Sequence, residues 1–102
     1  MKIAIATESN APSVEISPRG ARALFFLVFD EDGHLEEVLE NPYAGNATNV
    51  GPDVANMLID KQVTKVIVGR YGPRFKETLD SHGVACIELM GIADQAAKEL
   101  LE

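Results

Sequence analysis

Residues 2 to 7 alternate in an isoleucine- and alanine-rich register, Lys2-Ile3-Ala4-Ile5-Ala6-Thr7, and stop at the polar cluster Thr7-Glu8-Ser9-Asn10. This pattern predicts a central β-strand. A loop carrying Pro12 and Pro18 follows. Leu24 to Phe29 is a second apolar run, Asp30-Glu31-Asp32-Gly33 a turn, and His34 to Glu40 a third run. An aspartate-glycine turn between two such runs reads as an antiparallel hairpin. Asn41-Pro42 ends it, and small and polar residues run from Tyr43 to Asn49. Val50, Val54, Leu58 and Gln62, with Ala55 and Ile59 beside them, then recur at helical spacing, with Thr48 or Asn49 placed to cap the start. Lys65 to Val68 reads as a short buried strand, Pro73 to Ser81 as a second helix closed by Gly83, Val84 to Leu89 as a fifth strand, and Ile92 to Leu101 as a final helix. The predicted architecture is α/β: three helices around a mixed five-stranded sheet, with right-handed crossovers between parallel strands.

At 102 residues the chain fits one domain, residues 1–102, with no internal repeat. With 46% hydrophobic and 25% charged residues it has the composition of a soluble globule, and no apolar run is long enough to span a bilayer. The opening apolar run ends at Glu8 without a cleavage region, so it reads as a strand and not as a signal peptide. One cysteine, Cys86, excludes an intrachain disulfide and fits a reducing, cytoplasmic setting.

Sixteen acidic against nine basic residues give a net charge of −7, which repels nucleic-acid backbones over a Debye length of about 10 Å. The cations are unevenly placed, however: Arg19, Arg22, Arg70 and Arg74 all lie in or beside loops. Two helix starts, at Gly51-Pro52 and Gly72-Pro73, leave backbone N–H groups pointing outward near these cations. Both follow elements that end on one edge of the sheet, so the two helix ends face one crevice of anion-binding character.

Several motifs then fall in order: Met1-Lys2-Ile3-Ala4-Ile5-Ala6-Thr7, Ser17-Pro18-Arg19 with Arg22-Ala23, Glu40-Asn41-Pro42, Gly51 ahead of Val54-Ala55, and Val66-Ile67-Val68-Gly69-Arg70-Tyr71-Gly72-Pro73. Together they resemble the dinitrogenase iron-molybdenum cofactor biosynthesis family over essentially the whole chain. The resemblance implies a ribonuclease H-like sheet with an antiparallel second strand. It also implies a protein that binds or carries a metal-sulfur cluster, of iron-molybdenum or other molybdenum or iron-sulfur type, with cofactor-assembly proteins as partners. It does not imply nuclease activity, because Ala4, Ile5 and Ala6 stand where the first metal-binding carboxylate would be needed. Two departures stand out. Gly20-Ala21 replaces the phenylalanine-glycine usual between the two arginines, and Thr48-Asn49-Val50-Gly51 carries no histidine where many members have one.

The residues and the resemblance together point to Arg19, Arg22, Thr48, Asn49, Gly51, Gly69, Arg70 and Gly72 as the anion site. Alternatives stay open at each. Arg19 or Arg22 either holds the anion or pairs with Glu8 or Glu15, and Pro52 and Pro73 either flank a site or only mark first helical turns. Tyr71 either stacks on a ligand or fills its loop, and Met90 covers either apolar surface or the crevice. Cys86 is either a metal ligand or a small core residue between Ala85 and Ile87. His34 and His82 read as solvated or capping, with no second ligand at metal spacing, and Glu36-Glu37 and Asp94 with Glu99 as solvated faces.

The leading expectation is a non-enzymatic carrier of an anionic cluster. A second reading is an interaction or regulatory protein with a vestigial crevice. A third is an enzyme on a small phosphorylated or carboxylated metabolite, which lacks a nucleophile-base pair because Ser17 has no nearby histidine and Glu8 stands alone. Oligomeric state is not fixed by any pattern in the chain.

Overall fold

The computed structural model describes residues 2–101; Met1 and Glu102, the ends of the domain read from the sequence, lie outside them. Five strands, β1 (Ile3–Thr7), β2 (Phe25–Phe29), β3 (Leu35–Glu40), β4 (Lys65–Val68) and β5 (Ala85–Glu88), form one sheet in the order β3-β2-β1-β4-β5. β2 runs antiparallel to both neighbours, while β1, β4 and β5 pair in parallel. Three helices, α1 (Val50–Asp60), α2 (Pro73–Ser81) and α3 (Ala93–Leu101), complete the α/β fold. Among the described residues no helix is long and apolar enough to cross a membrane.

The period-two pattern splits the core in two. Ala4, Ala6, Phe26, Val28, Val66 and Val68 face α1 and α2, with Val54, Leu58, Phe75 and Leu79 packed onto them. Ile3, Ile5, Leu27, Phe29 and Ile67 face the other way, onto Ala93, Ala96 and Ala97 of α3. β1 is buried along its whole length because it lies at the centre of the sheet with a layer on each face.

Element ends differ from the sequence reading by a residue or two. α1 stops at Asp60 because Gln62 turns into the left-handed region at φ 64°, and Gly83, at φ 73°, follows α2 as expected. The edge strand β3 keeps its acidic residues, but Glu36 and Glu37 are not merely solvated: they pair with Lys2 and Lys61, each at 2.9 Å.

The loop after β1 carries more structure than its sequence suggests. Ile16 bridges to Thr7, the Ser17 N–H donates to the Ala6 carbonyl at 2.7 Å, and the Gly69 N–H donates to the Ser17 carbonyl at 2.8 Å. The chain therefore doubles back between the ends of β1 and β4. It then makes a single 3-10 turn, Gly20–Arg22, which nothing in the hydrophobic pattern announces.

Candidate functional site

β1, β3 and β4 point the same way, so the loops that leave their C-terminal ends gather on one edge. There the Arg19 to Arg22 turn, the end of the loop before α1 and the first turn of α2 enclose an open cavity of about 490 Å³. Of the residues assigned from sequence, Arg19, Arg22, Thr48, Asn49, Gly51 and Gly72 line it, together with Arg74. Among the described residues the lining holds three arginines and no aspartate, glutamate, histidine or cysteine, on a chain of net charge −7.

Each arginine is anchored through one terminal nitrogen. Arg19 Nη1 donates to Glu8 Oε1 at 2.8 Å, Arg22 Nη1 to the carbonyls of Asn46 and Ala44 at 2.8 and 3.3 Å, and Arg74 Nη2 to Asn49 Oδ1 at 3.0 Å. Guanidinium carries five N–H donors, so each keeps others for a ligand. Glu8 is no free base: its Oε2 also accepts from the Ser17 hydroxyl at 2.8 Å and the Leu24 N–H at 3.1 Å. Asn41, read from the sequence only as the end of the hairpin, clamps the arginine turn. Its buried amide donates to the Ala21 and Ala23 carbonyls at 2.7 and 2.8 Å, on either side of Arg22.

The helix ends supply the rest of the field. Neither α1 nor α2 is capped by a side chain. Asn49 occupies the capping position of α1 at φ 60°, but its side chain reaches to Arg74 instead, which corrects the expectation that it caps the helix. The first-turn N–H groups of Val50, Gly51, Arg74 and Phe75 have no intrahelical acceptor, so two positive helix ends meet at the cavity. The two glycines differ in use. A Cβ on Gly51 would sit 3.1 Å from the Phe75 nitrogen, so this glycine serves the close approach of α1 to α2, whereas a Cβ on Gly72 would meet nothing within 4 Å.

Gly69 and Arg70 do not line the cavity. A Cβ on Gly69 would lie 2.8 Å from both Pro18 Cα and the Ser17 carbonyl oxygen and 2.5 Å from Met90 Sδ, so this residue seats the loop after β1. The Arg70 carbonyl packs against Gly20, and Tyr71 packs onto the core under α1 and α2.

Cys86 is also outside the lining; it is half-buried on the α1 and α2 side of β5. Burial pushes its thiol up to about 11, with Asp80 and Glu88 adding to the rise and Lys76 opposing it. The neutral thiol is the favoured form, opposite to a cysteine set up as a thiolate ligand, and roughly one molecule in a thousand carries the thiolate at pH 8. Alkylation by iodoacetamide at pH 8 is therefore expected to run at least about tenfold slower than in the urea-unfolded chain, and to accelerate with pH up to about 11. Equal rates at pH 8 would contradict this placement.

At the β2–β3 hairpin tip, His34 does have neighbours at ligand spacing, Asp30 and Asp32, contrary to the sequence reading. The Asp30 carboxylate is spent on the turn: it accepts from the Asp32 and His34 N–H groups at 2.9 and 3.0 Å, and the His34 bond above all holds its pKa below the usual carboxylate value.

The family model described as dinitrogenase iron-molybdenum cofactor matches residues 1–102. The apo form of the orange protein from Desulfovibrio gigas shares the fold with a TM-score of 0.89 at 24% identity, over 98% of this chain and 86% of that one. A Thermotoga protein described as NifB and assigned to the DUF35 family is 33% identical with a TM-score of 0.79, over 96% of this chain and 84% of that one. No curated protein matches the chain.

Proposed function

The chain belongs to the dinitrogenase iron-molybdenum cofactor family, and on that premise we propose that it is a non-enzymatic carrier of an anionic metal-sulfur cluster, in cofactor assembly or storage. One observation carries this reading: three anchored arginines and two uncapped helix ends converge on a single cavity without a carboxylate among its lining residues. Like charges gathered at one place raise the energy of the fold, and an anion relieves that cost while gaining donors that are already oriented. The family's name, dinitrogenase iron-molybdenum cofactor, favours a metal-cluster anion over other anions.

Among the described residues the cavity lining offers no soft side chain, so the cluster is held through hydrogen bonds to its own sulfur or oxygen atoms and released without breaking a metal–protein bond. This suits handing the cargo to an assembly partner. On the same reading residues 1–102 act as one cytoplasmic domain. The strand order, with β2 alone reversed, supports a ribonuclease H-like sheet put to binding use.

The test is an anaerobic titration with tetrathiomolybdate, with and without copper or iron, followed by visible absorption and by elemental analysis after desalting. The expected result is a saturable band retained at fixed stoichiometry. Protein that retains no molybdenum under any of these conditions would overturn the carrier reading.

A further inference from the structure

Arg74 stands against two local rules. It occupies the first turn of α2, after the capping residue Gly72 and Pro73, where the helix end is already positive and an acidic residue is the stabilising choice. The residue that anchors it, Asn49, sits in the left-handed region at φ 60° and leaves α1 uncapped in order to accept from Arg74 Nη2 at 3.0 Å. Two neighbouring helices thus each forgo a stabilising arrangement at one spot. Local rules broken together at one place mark a binding site more readily than a packing solution.

The charge balance points to what is bound. Arg19 has a carboxylate partner in Glu8, but Arg22 is anchored by two backbone carbonyls and Arg74 by a side-chain amide, all neutral acceptors. Neither of these two guanidinium groups has a carboxylate hydrogen-bond partner, and two helix ends add to their field, with Asp53 in the first turn of α1 the one acidic residue at either helix start. A monoanion leaves most of this charge unanswered, whereas an anion of charge two or more matches it.

We propose that Arg74, held ready by Asn49, is a third anion-binding side chain of the cavity and sets its preference for anions carrying at least two negative charges. The inference rests on the carrier reading only in placing an anion in this cavity; it does not require sulfur or iron.

Molybdate and perrhenate are tetrahedral oxoanions of similar size that differ by one charge, so they isolate the effect. Calorimetric titrations of the full-length protein at constant ionic strength would compare the two on the wild type, Arg74→Gln and Arg74→Lys, with thermal melting to check folding. Molybdate is expected to bind the wild type at least about tenfold more tightly than perrhenate. Arg74→Gln should weaken molybdate at least about tenfold and perrhenate by a clearly smaller factor, and Arg74→Lys, which keeps the charge, should recover most of the loss.

Wild-type-like molybdate affinity in a folded Arg74→Gln protein, or equal affinity for the two anions, would overturn the inference. Tetrathiomolybdate retained equally by wild type and Arg74→Gln would overturn it while leaving the carrier reading in place. Arg74-dependent molybdate binding without retention of tetrathiomolybdate would uphold it and remove the metal-sulfur assignment. Failure of the wild type to bind either molybdenum anion would overturn both.

Discussion

Replacing Gly20 with alanine is expected to cost about 2–4 kcal/mol of unfolding free energy and to abolish anion binding with it. Gly20 has φ 60°, a conformation in which an L-residue other than glycine pays roughly 1–2 kcal/mol. A Cβ there would also fall on the carbonyl oxygen of Arg70, a backbone atom that cannot swing aside. The Arg19 to Arg22 turn would have to lift from the loop before α2, and the cavity between them would lose its shape. Urea unfolding of Gly20→Ala beside Gly45→Ala checks this, because a Cβ on Gly45 meets nothing within 4 Å. Equal unfolding midpoints for the two variants would contradict the account. The departure from the family's usual phenylalanine-glycine thus has a physical reading: in this chain the left-handed position is the first of the two, and it is filled by a glycine.

The second large effect concerns the arginines of that turn. Arg19→Ala and Arg22→Ala are each expected to weaken tetrathiomolybdate binding by about 1.5–3 kcal/mol, the worth of hydrogen bonds to a charged group, and the double variant should retain no molybdenum after desalting. Stability should change far less. The Arg19–Glu8 pair is open to solvent on both sides, with 47% and 36% of the two side chains exposed, and such pairs contribute about 0–1 kcal/mol. Glu8 keeps its bonds from Ser17 and Leu24, and Asn41 continues to hold Ala21 and Ala23. Elemental analysis after desalting, beside urea unfolding, separates the two effects. Undiminished retention in the double variant would show that the cavity is not where the anion sits.

The sheet was legible because β1, β2 and β4 alternate between the two faces residue by residue, and because Asp32-Gly33 can only turn the chain between two apolar runs. The convergence of the two helix starts also followed from topology, since parallel strands deliver their following loops to one edge. What the sequence hid are contacts between segments far apart in the chain. Asn41 reads as the end of a strand, yet its amide is what fixes the arginine turn about twenty residues earlier. Arg74 reads as one more surface cation near a helix start; only the reach of Asn49 across from the other helix shows it drawn into the cavity. The sequence assigns both Gly51 and Gly69 to the anion site; Gly69 instead seats the loop after β1, while Gly51 lines the cavity and also admits the close approach of α2. Local spacing cannot distinguish those uses of a glycine, because it does not show which segment approaches.

The most direct measurement is a nitrogen–proton correlation spectrum of isotope-labelled protein titrated anaerobically with tetrathiomolybdate. A bound anion displaces most strongly the amide signals whose N–H groups it meets. Saturable shifts are expected to concentrate at Val50, Gly51, Arg74 and Phe75 and in the turn from Arg19 to Arg22, with the α3 face unmoved. No saturable shift, or shifts centred on Cys86 and β5 instead, would contradict this placement of the anion.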